Sequence, residues 1–122
     1  MVALSDRLNK VLDGLKMVDG VESAAIATRD GLLIASNTYP GTYPETFAAM
    51  SATILGAAEA VTNNLENGSV NRIIIESDDC RMIATVSGQK SLLVVMTAVN
   101  SGLGLILVEL AKSASIIDDL LK

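Results

Sequence analysis

The sequence contains no histidine and no tryptophan, one cysteine, and only two tyrosines and one phenylalanine as aromatics. Without histidine there is no Ser-His-Asp triad, no His-based metal site and no mixed Cys/His zinc site. A lone cysteine, Cys80, excludes a disulfide within the chain. Basic residues are also scarce: nine Lys+Arg stand against fourteen Asp+Glu, a net charge of −5. Nucleic-acid binding calls for a basic face and, for single strands, aromatic stacking platforms, so no nucleic-acid partner is expected. Long apolar runs are missing too. The most apolar window, Leu92 to Ala111, is interrupted by Asn100, Ser101, Gly102 and Gly104 and carries Glu109 near its end. It reads as a strand, a turn and a helix, and no membrane insertion is expected. The segment Met1 to Lys10 is polar and begins a helix, so no signal peptide is expected and the expected location is cytoplasmic.

What is present is a foldable core. Half of the 122 residues are hydrophobic and 19% are charged, which excludes intrinsic disorder. The length predicts a single domain over residues 1–122, able to fold without disulfides or metal.

The first helix is predicted over Ser5 to Lys16, with Ser5 as its cap. Leu4, Leu8, Val11, Leu12 and Leu15 share one face at helical spacing. Val21 to Thr28 and Leu32 to Ser36 read as strands joined by the Arg29-Asp30-Gly31 hairpin. Ala24, Ala25 and Ala27 suit a central strand with helices close on both faces. After a loop around Pro40-Gly41, Pro44 opens a long helix that runs to the Asn67-Gly68 break. Its predicted core stripe is Phe47, Ser51, Ile54, Ala58, Val61 and Leu65. Asn71 to Glu76, Arg81 to Ser87 and Ser91 to Val99 read as an antiparallel meander. Leu92 to Met96 is apolar without alternation, which predicts a central strand covered on both faces. A last helix runs from Ser101 to Leu121, with Leu103, Ile106, Leu107, Leu110, Ala114, Ile117 and Leu121 inward. The order αββαβββα predicts an α+β fold: a five-stranded antiparallel sheet in an α/β/α sandwich. One long helix covers one face, and the terminal helices the other.

The chain offers no catalytic constellation, so no enzyme activity, metal or cofactor is expected. Gly102-Leu103-Gly104 lacks the third glycine of a dinucleotide fingerprint and the Lys-Ser/Thr of a P-loop, and reads as a tight strand-to-helix turn. Asp78-Asp79-Cys80 reads as a solvated hairpin, and Asp118-Asp119 as an exposed helix end.

Two features ask for a second polypeptide. The long helix carries Ala49, Ala52, Thr53, Gly56 and Ala60 where a surface helix usually carries charge, with Glu59 and Asn63 on its flank. Ala52, Gly56 and Ala60 are four apart, and Gly56 costs about 1 kcal/mol against alanine in a helix interior. A row of small residues lets another backbone approach. The second feature is Ile73-Ile74-Ile75, apolar on both faces and flanked by Arg72 and Glu76. At a sheet edge it invites pairing with another chain, with Arg72 opposite Glu76 of a second copy in an antiparallel register.

The element order, the Asp19-Gly20-Val21 step, the Arg29-Asp30-Gly31 hairpin and the Asn100-Ser101-Gly102-Leu103-Gly104 entry to the last helix together resemble the Roadblock/dynein light chain family. The MglB-type prokaryotic branch is nearest in length and layout. The resemblance implies a profilin-like/Roadblock sandwich with sheet order 2-1-5-4-3. It implies homodimers, or heterodimers with a paralogous Roadblock protein, that pair third strands and pack long helices antiparallel. It also implies a platform for Ras-like small GTPases or a subunit of a larger scaffold. Arg72, Ile73, Ile74, Ile75 and Glu76 would then be the pairing edge. Ala49, Ala52, Thr53, Gly56, Ala60 and Asn63 would form the helix seam or partner surface. No GTPase domain is visible in the chain, so the GTPase is expected to be a separate polypeptide.

The expected function is therefore a dimeric, non-enzymatic regulator of a small GTPase. Arg29 and Arg72 are the arginines that a finger mechanism would call on. The alternatives are a structural adaptor indifferent to nucleotide, and a small-ligand sensor. The last needs a pocket with convergent polar groups, for which Ser51 and Thr85 are among the few buried polar candidates.

Overall fold

The computed structural model describes residues 3–64 and 68–122. The elements run α1 (Leu4–Lys16), β1 (Val21–Thr28), β2 (Leu33–Asn37), α2 (Pro44–Asn64), β3 (Arg72–Glu76), β4 (Arg81–Ser87), β5 (Ser91–Thr97) and α3 (Leu103–Leu121). The strands form one antiparallel sheet in the order β2-β1-β5-β4-β3. Leu65 and Asn67, which the sequence places at the end of the long helix and its break, lie outside the described residues.

The core has two halves, one on each face of the sheet. On one face α1 and α3 cover the sheet: Leu8, Leu12 and Leu15 of α1 meet Ile106, Leu110 and Ile117 of α3 over Ala24, Ile26, Ile83, Leu93 and Val95. On the other, Ala48 and Leu55 of α2 pack on Ala27, Ala84, Leu92 and Val94. β5 feeds both halves, because alternate side chains of a strand point to opposite faces. Its uniform apolarity is the signature of that central position. The alanines of β1 are fully buried and keep the helices close.

Several local expectations are corrected. Helix α1 starts at Leu4 with Ala3 as its extended flanking residue and no side-chain cap, so Ser5 lies inside the first turn. Leu4 is 47% exposed and does not belong to the core face. β5 ends at Thr97, and α3 begins at Leu103. On α2 the fully buried residues are Ala48, Ser51 and Leu55. The inward face is thus turned from the predicted stripe, and Val61 is 60% exposed. The reason is compositional: α2 is apolar nearly all round, so periodicity does not select a face. Ser51 is inward on both the predicted and the observed face, and its buried hydroxyl donates to the Phe47 carbonyl at 2.7 Å.

Two turn glycines are fixed by contact as well as by conformation. Gly31, at φ 96°, lies under α2, and a Cβ there would sit 3.1 Å from Ala49 Cα. Gly20, at φ 92°, is pressed against the Ser101 side chain where the chain enters α3. The close approach in this region is at Gly20, since a Cβ on Gly102 or Gly104 would meet open space. Buried Arg81 braces the same turn, donating to the Val99 carbonyl at 3.0 Å.

Gly20→Ala should therefore lose at least about 1 kcal/mol in urea unfolding, combining left-handed strain with the Ser101 contact. Gly14→Ala, in α1 with open space around it, should gain up to about 1 kcal/mol in the same measurement.

Candidate interaction surface

The candidate surface is the β3 edge together with the outer face of α2. β3 exists because β4 offers one antiparallel partner, in the register Arg72↔Thr85, Ile73↔Ala84, Ile74↔Ile83, Ile75↔Met82 and Glu76↔Arg81. It is the last strand of the sheet, and its other side pairs with no described residue. Ile73 packs into the α2-side core. By strand alternation Ile75 shares that face, while Arg72, Ile74 and Glu76 point to the α3 side. Ile74 and Ile75 remain 38% and 37% exposed. A short strand with an open ladder and half-exposed isoleucines on both faces is a template for another strand.

Helix α2 begins where Pro44 sets the first helical turn and Glu45 meets the positive end of the helix. Its 21 residues carry two charges, Glu45 and Glu59. Glu59 is engaged with Arg29 of the β1–β2 hairpin, Oε2 to Nη2, at 2.8 Å. The rest of the outward face has no ionisable group. Ala49, Thr53, Gly56, Ala60 and Asn63 are all exposed there, joined by Met50 at 62% and Val61 at 60%. Ala52 departs from the predicted row: it is half-buried and packs against the core, and a Cβ on Gly31 would touch it at 3.5 Å. Its smallness serves a contact within the chain. Gly56 is different. A Cβ there would meet nothing within 4 Å, so no contact inside this chain requires glycine.

The turn of α2 that sequence periodicity missed enriches this face. It brings Met50 outward, beside a concave apolar cleft of about 300 Å3 formed with Tyr43, Pro44, Phe47, Thr38 and Met96. Tyr43 is 76% exposed at its rim. An exposed apolar patch of this kind makes this face a candidate interaction surface.

The remaining sequence candidates fall elsewhere. Arg29 is held by Glu59, and its Nη1 is buried without a partner. Acting on a substrate would require breaking that pair. Arg72 makes no ion pair with a described residue and lies exposed at the strand edge. Asp78 and Asp79 are exposed in the β3–β4 turn, closed by Ser77 N–H to the Cys80 carbonyl at 2.9 Å. No group of three or more metal-ligating side chains occurs among the described residues. No described helix is long and apolar enough to cross a membrane.

Comparison with known proteins agrees with this architecture. The Roadblock/LC7 domain matches residues 7–97. The uncharacterized protein MJ0714 of Methanocaldococcus jannaschii is 29% identical over 107 residues, covering 88% of this chain and 90% of the relative. Among solved structures, one described as MglB with tetrameric arrangement superposes with a TM-score of 0.90 at 19% identity, covering 98% of this chain and 91% of the other. Myxococcus xanthus MglB superposes with a TM-score of 0.88 at 18% identity, covering 94% of each chain.

The Arg29–Glu59 pair is a local test of the hairpin's hold on α2. Both side chains are about one-third exposed, so a double-mutant cycle with Arg29→Ala and Glu59→Ala should give a coupling below about 1 kcal/mol. A sandwich of five antiparallel strands between one long helix and two terminal helices, matched by that domain over most of its length, places this chain in the Roadblock/LC7 family.

Proposed function

We propose that this chain is a dimeric, non-enzymatic platform that binds a Ras-like small GTPase and modulates its nucleotide cycle or localisation. The observation that carries the reading is a pair of unpartnered features on neighbouring elements: the open β3 edge and the outer face of α2, whose charges are Glu45 and the Arg29-bound Glu59 alone. A second copy satisfies both at once. Antiparallel pairing of β3 with its equivalent extends the sheet across the two chains and places Arg72 of each against Glu76 of the other. The helices then run side by side, and small residues at Gly56 and Ala60 let their backbones approach. A paralogous Roadblock chain is able to take the same place.

The GTPase reading draws on the similarity to MglB-type structures. A platform of this kind acts by binding one switch conformation more tightly than the other, which shifts the nucleotide-state equilibrium by that difference in affinity. Arg29 is not proposed as a finger, because it is already paired. A nucleotide-indifferent adaptor is the second reading. It shares the same dimer and needs no contact that senses the nucleotide state.

Sedimentation equilibrium tests the dimer, and registers a tetramer if one forms. Gly56→Leu should shift the protein towards monomer, since added volume at a close seam is costly. Arg72→Glu should weaken the dimer, and the charge swap Arg72→Glu with Glu76→Arg should restore it. An unchanged dimer in Gly56→Leu would mean that this stripe faces water. Affinity capture from the source lysate, in excess GDP and in a non-hydrolysable GTP analogue, tests the partner. A small GTPase retained in one state supports the regulator. The same partners in both states, with no GTPase among them, support the adaptor.

A further inference from the structure

The α3 side of the sheet has its own concavity. Three helices do not cover five strands completely, and α3 leaves the β3 side of this face open. Small residues on α3, Ala111, Ala114 and Ser115, stand opposite Arg72 and Thr85, and a cleft of about 450 Å3 remains between them. Its size falls within the range of small-molecule sites.

The cleft collects polar groups that are unused within the chain. Thr85 lines it, and its Oγ1 is buried without a hydrogen-bond partner. A buried hydroxyl without a partner is destabilising, and a ligand that accepts from it removes that cost. Arg72 is the cross-strand neighbour of Thr85, and Asn71 precedes it. Neither side chain bonds to a described residue. At the other end stands Asp118, half-buried, with Lys122 at 3.9 Å as its cationic neighbour. The Lys122 side chain is largely exposed, so this long contact is easily displaced. The wall between is apolar, from Leu107 and the alanines.

We propose that this cleft binds a small zwitterion of the α-amino-acid class. The carboxylate lies against Arg72, Asn71 and the Thr85 hydroxyl, and the ammonium against Asp118. A guanidinium fork matches a carboxylate in two parallel hydrogen bonds. Arg72 has five N–H donors, so pairing across the strand edge leaves donors for the ligand. The site lies on the opposite face of the sheet from α2 and does not depend on the GTPase reading.

The test uses the full chain, isotopically labelled, titrated with each standard L-amino acid while amide shifts and thermal unfolding are followed. The expected result is that at least one raises Tm and moves the amides of Arg72, Thr85 and Ser115. Its N-acetyl derivative and its amide should bind at least about tenfold more weakly, a difference of about 1.4 kcal/mol. Ser115→Leu, which fills the cleft, and Asp118→Asn should each weaken binding by a similar factor while the fold is retained. Sedimentation of the same samples separates loss of binding from loss of assembly. Three results would overturn the proposal: no amino acid moves these amides, the shifts map elsewhere, or the blocked derivatives bind as tightly. Thr85→Val that stabilises the chain in the absence of any binding would identify a plain packing defect.

Discussion

The structure depends on burying β5 on both faces. Leu92 and Val94 point to α2, and Leu93 and Val95 to the α1 and α3 layer. A strand apolar on both sides has to sit inside a sheet and between helical layers. Flanked by β1 and β4, it forces β2 and β3 to the margins. β2 is shared by α1 and α2. β3 receives little helical cover, so the central strand's demand for burial is met at the expense of the edge. The candidate interaction surface and the α3-side cleft are two consequences of that one allocation, on opposite faces of the same strand.

Most of the fold was legible because its signals are local. The boundaries of β1 and β4 were found to the residue, and those of β2 and β3 within one. Strand length, the Asp-Gly hairpin and glycine breaks are all read within a few residues. The core stripe of α3 was legible as well: Ile106, Leu110, Ala114 and Ile117 recur at helical spacing. Helix α2 was not. Ala48 and Ala49, or Ile54 and Leu55, are equivalent to any periodicity argument. The choice between them is made by Ala27 and Ala84, small residues of distant strands that admit Ala48. The helix cap at Ser5 failed because the helix begins earlier, at Leu4, with Ala3 two residues before Ser5 in the capping position.

The candidate surface was half legible. Ile73-Ile74-Ile75 and Gly56 stand out by breaking local expectations. Val61 did not, because it was placed in the core stripe, and Met50 drew no reading until the helix orientation was known. Arg29–Glu59 joins positions thirty apart in sequence, and no local pattern announces it. Thr85 was recognisable as a buried polar residue, yet its setting beside Arg72, Ser115 and Asp118 arises only from strand register and the path of α3.

The central claim is that β3 continues into another chain. Hydrogen–deuterium exchange at the amides of Arg72 to Glu76, measured over a range of protein concentrations, tests it directly. Pairing predicts outward β3 amides protected to the level of β4 at high concentration, with protection falling on dilution as the dimer dissociates. Fast exchange of those amides at every concentration would contradict the account, and would leave the edge facing water.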